Sequence, residues 1–248
     1  MFNFLKKKKT LQIPENYDSV TVDMHSHLLV GIDDGCQSYE ESLDIIRRLK
    51  DLGYKKLITT PHIMSDTYKN TPDIILKKLD ELREQLVKNS IDIEIEAAAE
   101  YYIDEWFEEE LKKNKLLCFG KSKYVLVETG FMAKPMHLEK ILFDLQMEGY
   151  RPILAHPERY QYIIDKPSLA EDLYDKGILL QMNIMSLSGY YSPDIKKAAE
   201  HLINNKLLSF VGSDIHNLRH TRIVNDFTQS DEYKQVYHSK LLNNTLLG

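Results

Sequence analysis

Cysteine is scarce in this chain: Cys36 and Cys118 are the two thiols in 248 residues, and no Cys-x-x-Cys pair occurs. That excludes a disulfide-stapled scaffold and a zinc knuckle, and it fits a reducing cytosol. Positive charge is not in excess either. The formal net charge is −6, so no global basic field recruits nucleic acid. Apolar runs long enough to cross a bilayer, about 20 residues, are absent. The start, Met1-Phe-Asn-Phe-Leu-Lys-Lys-Lys-Lys9, lacks the apolar stretch and small-residue cleavage site of a signal peptide. Residues 1–19 are expected to form a solvated basic tail. Weak contact of Lys6–Lys9 with an anionic membrane surface is the sharper alternative.

What the chain does have is enough apolar material for a substantial core, 43% of residues, and a regular alternation of element signals. Val20–His25 reads as a strand. Ser38–Gly53 reads as a helix, with Ser38 as cap, Glu41 three residues on, and Leu43, Ile46 and Leu49 as its apolar stripe. Lys56–Thr60 is a second strand, stopped by Pro61. Thr71-Pro72 opens a helix that runs to about Asn89. Strands follow at Ile91–Ala99, Tyr124–Glu128, Pro152–Ala155, Ile178–Asn183 and Leu207–Val211. Helices are expected at Asp104–Lys113, His137–Gly149, Ser168–Lys176, Ser192–Asn204 and Asp231–Leu247. Seven β-then-α units without hairpins argue for parallel strands joined by crossovers. No linker interrupts residues 20–248, which are expected to form one domain.

The chemistry begins at Asp23-Met24-His25-Ser26-His27. Two histidines at i and i+2 on a strand point the same way, so both can reach one metal ion. Further candidates follow almost every later strand: Asp34 in the loop after the first, then His62, Glu100, Glu128, His156, Asp214 and His216. Each alone would more often be a packed core residue than a ligand; their recurrence at successive strand ends points to a shared site. A closed barrel gathers all strand ends on one rim, whereas an open sheet strings them along an edge, so a barrel is expected. Five imidazoles and four carboxylates exceed the four ligands of one zinc and suit two or three ions. Nitrogen and oxygen donors without thiolate suit Mn²⁺, Fe²⁺ or Zn²⁺, with Mg²⁺ as a further option. Such a centre would attract a phosphate dianion and acidify a nucleophilic water. Arg159, three residues past His156, is the candidate phosphate-binding arginine, with Arg219 and Arg222 as further candidates. Asp23 faces away from both histidines and is expected to orient a ligand. Tyr101, Tyr102, Trp106, Phe107, Tyr190 and Tyr191 follow strands, where they either pack or flank an aromatic substrate ring.

These residues resemble the polymerase-and-histidinol-phosphatase (PHP) superfamily. The resemblance lies in Asp23-Met-His-Ser-His27, Thr59-Thr-Pro-His62 and Gly212-Ser-Asp-Ile-His216. Within it, Asp33-Asp-Gly35, Ala99-Glu-Tyr-Tyr102 and Ala155-His-Pro-Glu-Arg-Tyr160 look most like the bacterial manganese-dependent protein-tyrosine phosphatases of capsule and exopolysaccharide operons. The resemblance implies a distorted (β/α)₇ barrel and metal binding by the nine residues His25, His27, Asp34, His62, Glu100, Glu128, His156, Asp214 and His216. It also implies phosphate contact by Arg159, and as substrate the phosphotyrosine tail of a membrane-bound bacterial tyrosine kinase. The enzyme would then act in the cytoplasm, at the inner membrane surface; an oligomer is left open. Neither cysteine has an arginine six residues on, so no cysteinyl-phosphate route is expected. Three rivals remain. One is a small-molecule phosphatase such as histidinol-phosphate phosphatase. Another is an amidohydrolase-like enzyme, which usually recruits a lysine where Glu100 and Glu128 stand. The last is a catalytically weak regulatory protein that binds a kinase.

Overall fold

The computed structural model describes residues 20–237 and 240–247; the expected basic tail, with Lys6–Lys9, lies outside them. The described strands are β1 (Val22–Asp23), β2 (Lys56–Thr59), β3 (His62–Ile63), β4 (Glu94–Ala97), β5 (Glu100–Tyr102), β6 (Tyr124–Glu128), β7 (Arg151–Ala155), β8 (Leu179–Asn183) and β9 (Phe210–Gly212). These strands pair with one another in parallel, in the orders β1-β2-β4 and β3-β5-β6-β7-β8-β9.

The two sheets are one interrupted ring. β2 and β3 are halves of one stave broken at Thr60-Pro61, where proline has no N–H to give the ladder. β4 and β5 are halves of another, broken at Ala98-Ala99. The breaks stay stitched: Ala98 N donates to Thr59 O at 2.9 Å and Glu100 N to Pro61 O at 3.1 Å. Beyond β1 and β9 the chain closes on itself, His27 N donating to Ile215 O at 2.9 Å and Asp214 N to His25 O at 2.8 Å. Counting each broken pair as one stave gives the seven that the sequence pattern predicts. The strand expected over 91–99 proves shorter, because Ala98-Ala99 turns the chain into β5 and delivers Glu100 to the rim.

The helices cover the outside: α1 (Tyr39–Asp51), α2 (Pro72–Lys88), α3 (Glu105–Lys112), α4 (Leu138–Met147), α5 (Gln161–Ile164), α6 (Ser168–Asp175), α7 (Ile184–Leu187), α8 (Pro193–Asn204), α9 (Leu218–Thr228) and α10 (Asp231–Tyr237). The predicted caps are in place. Ser38 Oγ accepts from Glu41 N at 3.2 Å, and Thr71 Oγ1 accepts from Ile74 N at 3.3 Å ahead of Pro72. The stripe Leu43, Ile46 and Leu49 is buried under α1. Of the helix predicted over 231–247, Asp231–Tyr237 is helical, whereas Asn243–Leu246 is a 3-10 turn.

Both faces of a barrel strand are covered, so side chains sort by period 2 into an inner column and an outer layer. On β6, Tyr124 and Leu126 point into the small inner cluster with Met24, Ile153 and Phe210, while Val125 and Val127 pack under the helices. Continuing each inner row toward the C-terminal end changes its chemistry: Tyr124, Leu126, Glu128; Leu179, Gln181, Asn183; Phe210, Gly212, Asp214. Apolar residues plug the bottom of the barrel and polar ones crown it. Gly212 lets the crown close tightly, since a Cβ there would stand 2.6 Å from that of His25 and 2.8 Å from Gln181 Nε2.

Candidate metal centre

All nine predicted ligands converge on this crown. His25, His27, Glu100, Glu128, His156 and Asp214 are buried, and His62 and His216 are nearly so. Their donor atoms fall into four overlapping groups: His27, Asp34, His62 and His216; His25, His27 and Glu100; His25, His156 and Asp214; His62, Glu100 and Glu128. Within each group the donor atoms lie within 4.8 Å of one another. Glu100 is the hub. Its Oε2 is 3.1 Å from His25 Nε2 and 3.1 Å from His62 Nδ1, and its Oε1 is 3.0 Å from His156 Nε2. Asp214 Oδ1 lies 3.5 Å from His25 Nε2, 3.4 Å from His27 Nε2 and 3.4 Å from His216 Nδ1.

One contact tests whether this set is shaped for cations rather than for hydrogen bonding alone. His62 Nδ1 and Glu128 Oε1 are 2.9 Å apart, both buried, yet neither makes an aligned hydrogen bond. Buried polar atoms rarely stay unsatisfied, and two donor atoms converging without alignment fit an ion between neighbouring groups. The electrostatics agree. Burial alone would depress the histidines, but Glu100 and Asp214 lift His25 to about 9, Glu100 and Glu128 lift His62 to about 10, and Asp214 and Asp34 lift His216 to about 9. Burial would raise Glu100 and Asp214, yet the surrounding imidazoles hold both well below the usual carboxylate range. Asp34 drops to about 2 through His216. Protons stand in for positive charge that the carboxylates require.

Residues not singled out as ligands hold the set in place. Asp33 Oδ2 accepts from His27 Nδ1 at 2.8 Å and Gln181 Oε1 from His25 Nδ1 at 2.8 Å, so each imidazole presents Nε2 to the centre. Asn183 Nδ2 donates to Asp214 Oδ2 at 2.6 Å. Asp23, expected to orient a ligand, acts through Ser213. It accepts from Ser213 N at 2.9 Å and Ser213 Oγ at 2.6 Å, fixing the turn that carries Asp214, and touches neither imidazole. Backbone strain sits at the same place: His156 and Asp214 have φ of 32° and 50°, in the left-handed region that ordinary residues avoid.

A cleft of about 220 Å³ opens onto the ligands, and Arg159 stands in its wall. Its Nη1 donates to Asp214 Oδ2 at 3.0 Å, and its Cζ lies 4.4 Å from the ring centre of Tyr191 and 4.7 Å from that of Phe131. Arg219 and Arg222 do not line the cleft. Arg219 is exposed, 5.6 Å over Tyr190, and Arg222 is exposed on α9. The aromatic rim also differs from the residues considered on sequence. Tyr101 and Phe107 are core, Trp106 lines a separate pocket beside Ile63, and the rings in the cleft wall are Tyr68 and Phe131.

Comparison with known proteins places this geometry in a family. Residues 21–238 match the family described as capsular polysaccharide synthesis, CpsB/CapC. The tyrosine-protein phosphatase YwqE of Bacillus subtilis is 34% identical over 198 residues, covering 80% of this chain and 78% of YwqE. The tyrosine-protein phosphatase CpsB of Streptococcus pneumoniae is 27% identical over 202 residues, covering 79% and 83%. A solved structure from work on YwqE and CpsB, described as metal-dependent tyrosine phosphatases, superposes with a TM-score of 0.81 at 32% identity, covering 91% of this chain and 94% of that one. An amidohydrolase from Mycoplasma synoviae shares the fold alone, at a TM-score of 0.54 and 9% identity, covering 92% and 87%.

Proposed function

The chain belongs to the CpsB/CapC family of capsular polysaccharide synthesis, and on that premise we propose that it is a metal-dependent protein-tyrosine phosphatase. The observation that carries this reading is the convergence of nine nitrogen and oxygen donors beneath a clamped arginine. His25, His27, Asp34, His62, Glu100, Glu128, His156, Asp214 and His216 would hold two or three ions, with Mn²⁺ as the first choice for mixed imidazole and carboxylate donors without thiolate. When bound, the ions supply positive charge for the phosphoryl oxygens and lower the pKa of the water that attacks phosphorus.

The protein's own residues do the rest. Glu100 and Asp214 hold neighbouring imidazoles at fixed separations, so the site is formed before substrate arrives. Arg159, its plane set by Tyr191 and Phe131, gives one N–H to Asp214 and offers others to the phosphate. A phenolate with a pKa of about 10 leaves without a strong general acid, so none of the imidazoles has to be spared for that role. The substrate is the phosphotyrosine tail of a bacterial tyrosine kinase at the membrane, met from the cytoplasmic side. Among the described residues no helix is long and apolar enough to cross a membrane.

Phosphate release from a phosphotyrosine peptide, a phosphoserine peptide and histidinol phosphate, each with Mn²⁺ and with chelator, tests the proposal. Metal-dependent turnover confined to phosphotyrosine is expected. Turnover mainly of histidinol phosphate would make it a metabolite phosphatase on the same barrel.

A further inference from the structure

Two rings border the cleft without belonging to the candidate ligand set. Tyr68 lies on the loop after β3, against His62, with ring centres 5.6 Å apart and planes only 14° from parallel. Phe131 lies on the loop after β6, against His156 at 5.9 Å. His62 and His156 contact different oxygens of Glu100, Nδ1 on Oε2 and Nε2 on Oε1. The two rings therefore stand beside separate flanks of the ligand cluster, and both border the cleft. Neither is loosely hung. Met64 N and Asn70 N both donate to Tyr68 O, at 2.9 and 2.8 Å, and Gln161 N donates to Phe131 O at 2.7 Å. Phe131 leaves 41% of its surface exposed at the cleft edge.

Resting on the phosphatase reading, we propose that Tyr68 and Phe131 form an aryl subsite that receives the phenyl ring of phosphotyrosine and so favours aryl over alkyl phosphates. A phosphate drawn to the centre carries its ester substituent outward past these rings. An aromatic substituent gains ring–ring contact with them, and a serine methylene gains little. Phosphate itself is anchored by Arg159 and the ligand cluster, and Phe131 borders both the subsite and Arg159.

Binding of phenylphosphonate and methylphosphonate to the Mn²⁺-loaded protein, measured by calorimetry, tests this without relying on turnover. The parent is expected to prefer phenylphosphonate. Tyr68→Leu should weaken phenylphosphonate about fivefold, the worth of one aromatic contact, and leave methylphosphonate within twofold. Phe131→Leu, which also frees one side of Arg159, should weaken both ligands, phenylphosphonate about fivefold more than methylphosphonate. Tyr68→Phe, which keeps the ring, should behave as the parent. A parent that binds the two phosphonates equally, or binds neither, would overturn the subsite. So would leucine variants that keep the preference, or that lose both ligands alike, since those residues would then act on the metal centre or Arg159. Failure of phosphotyrosine turnover with the phenyl preference intact would count against the phosphatase reading and not against the subsite.

Discussion

At the scale of single residues, the centre as proposed divides into groups that bind metal, groups that aim them, and Arg159 with two rings that meet the substrate. Glu100→Ala removes the carboxylate shared by His25, His62 and His156, so metal content and activity are expected to fall together. Arg159→Ala should keep the metal while kcat/KM drops about 10²–10³-fold, the usual worth of a positioned donor to a developing oxyanion. Retained turnover in that variant would remove Arg159 from phosphate binding. Asp33→Ala, which frees the Nδ1 of His27, should cost about 10–100-fold in metal affinity. The pH dependence has a definite sign. With His25 and His216 at about 9 and His62 at about 10, these imidazoles are protonated at pH 7 in the metal-free site. Metal needs them neutral, so binding releases protons and tightens as pH rises toward 9. Calorimetry in buffers of different ionisation enthalpy should report that release, and none would contradict the charge assignment. Without metal the same imidazolium pairs stabilise the fold fully below the unfolded histidine pKa of about 6.5, and that contribution is lost as pH climbs through 9. The ligand types were legible in sequence because each follows an apolar run. Asp33, Gln181, Tyr68 and Phe131 were not, since aiming and flanking a cleft leave no spacing signature. Arg222 is the opposite case: near His216 along the chain, it lies exposed on α9 and outside the cleft lining.

Among the elements, broken strands and short turns deliver the site. Pro61 and Ala98-Ala99 interrupt two staves and set His62 and Glu100 on the rim side by side, paired in register. Period-2 reasoning located the apolar runs but not these interruptions, because a broken parallel stave and a continuous one have the same composition. α9 went unanticipated for a related reason. Its buried face is only Thr221, Val224 and Phe227, too sparse for a clear 3.6 period, and Asn217 caps it through Oδ1 to Arg219 N and His220 N. The seam between the first and last staves is also bridged by one side chain from the terminal 3-10 turn. Asn243 Nδ2 donates to Val22 O at 2.9 Å and Val211 O at 2.7 Å, and its Oδ1 accepts from Val211 N at 3.0 Å. Asn243→Leu leaves those buried groups unpaired and should lower unfolding stability by about 3 kcal/mol in a urea titration. A loss under about 0.5 kcal/mol would mean that the seam is held elsewhere.

For the whole molecule, a parallel barrel explains why ligands scattered from residue 25 to residue 216 meet at one point: every strand's C-terminal end arrives at the same rim. That consequence of topology was the most readable property of the chain, since β–α alternation and the position of each ligand implied it together. Closure was less readable. It depends on backbone hydrogen bonds between His25–His27 and Asp214–Ile215 that no side-chain pattern encodes. The crown also concentrates four carboxylates and five imidazoles, all but Asp34 buried or nearly so, so the folded chain and any ions it binds there are thermodynamically linked. Metal at about 100 times its dissociation constant should add roughly 2.7 kcal/mol to unfolding stability. The measurement that reaches the central claim most directly is a titration of chelator-stripped protein with Mn²⁺, following phosphotyrosine-peptide hydrolysis and bound metal together. Turnover absent at the start and reaching its plateau at two or three ions per chain is the predicted result. Undiminished turnover by the stripped protein, or a plateau at a single ion, would contradict a multinuclear metal centre built from these nine residues.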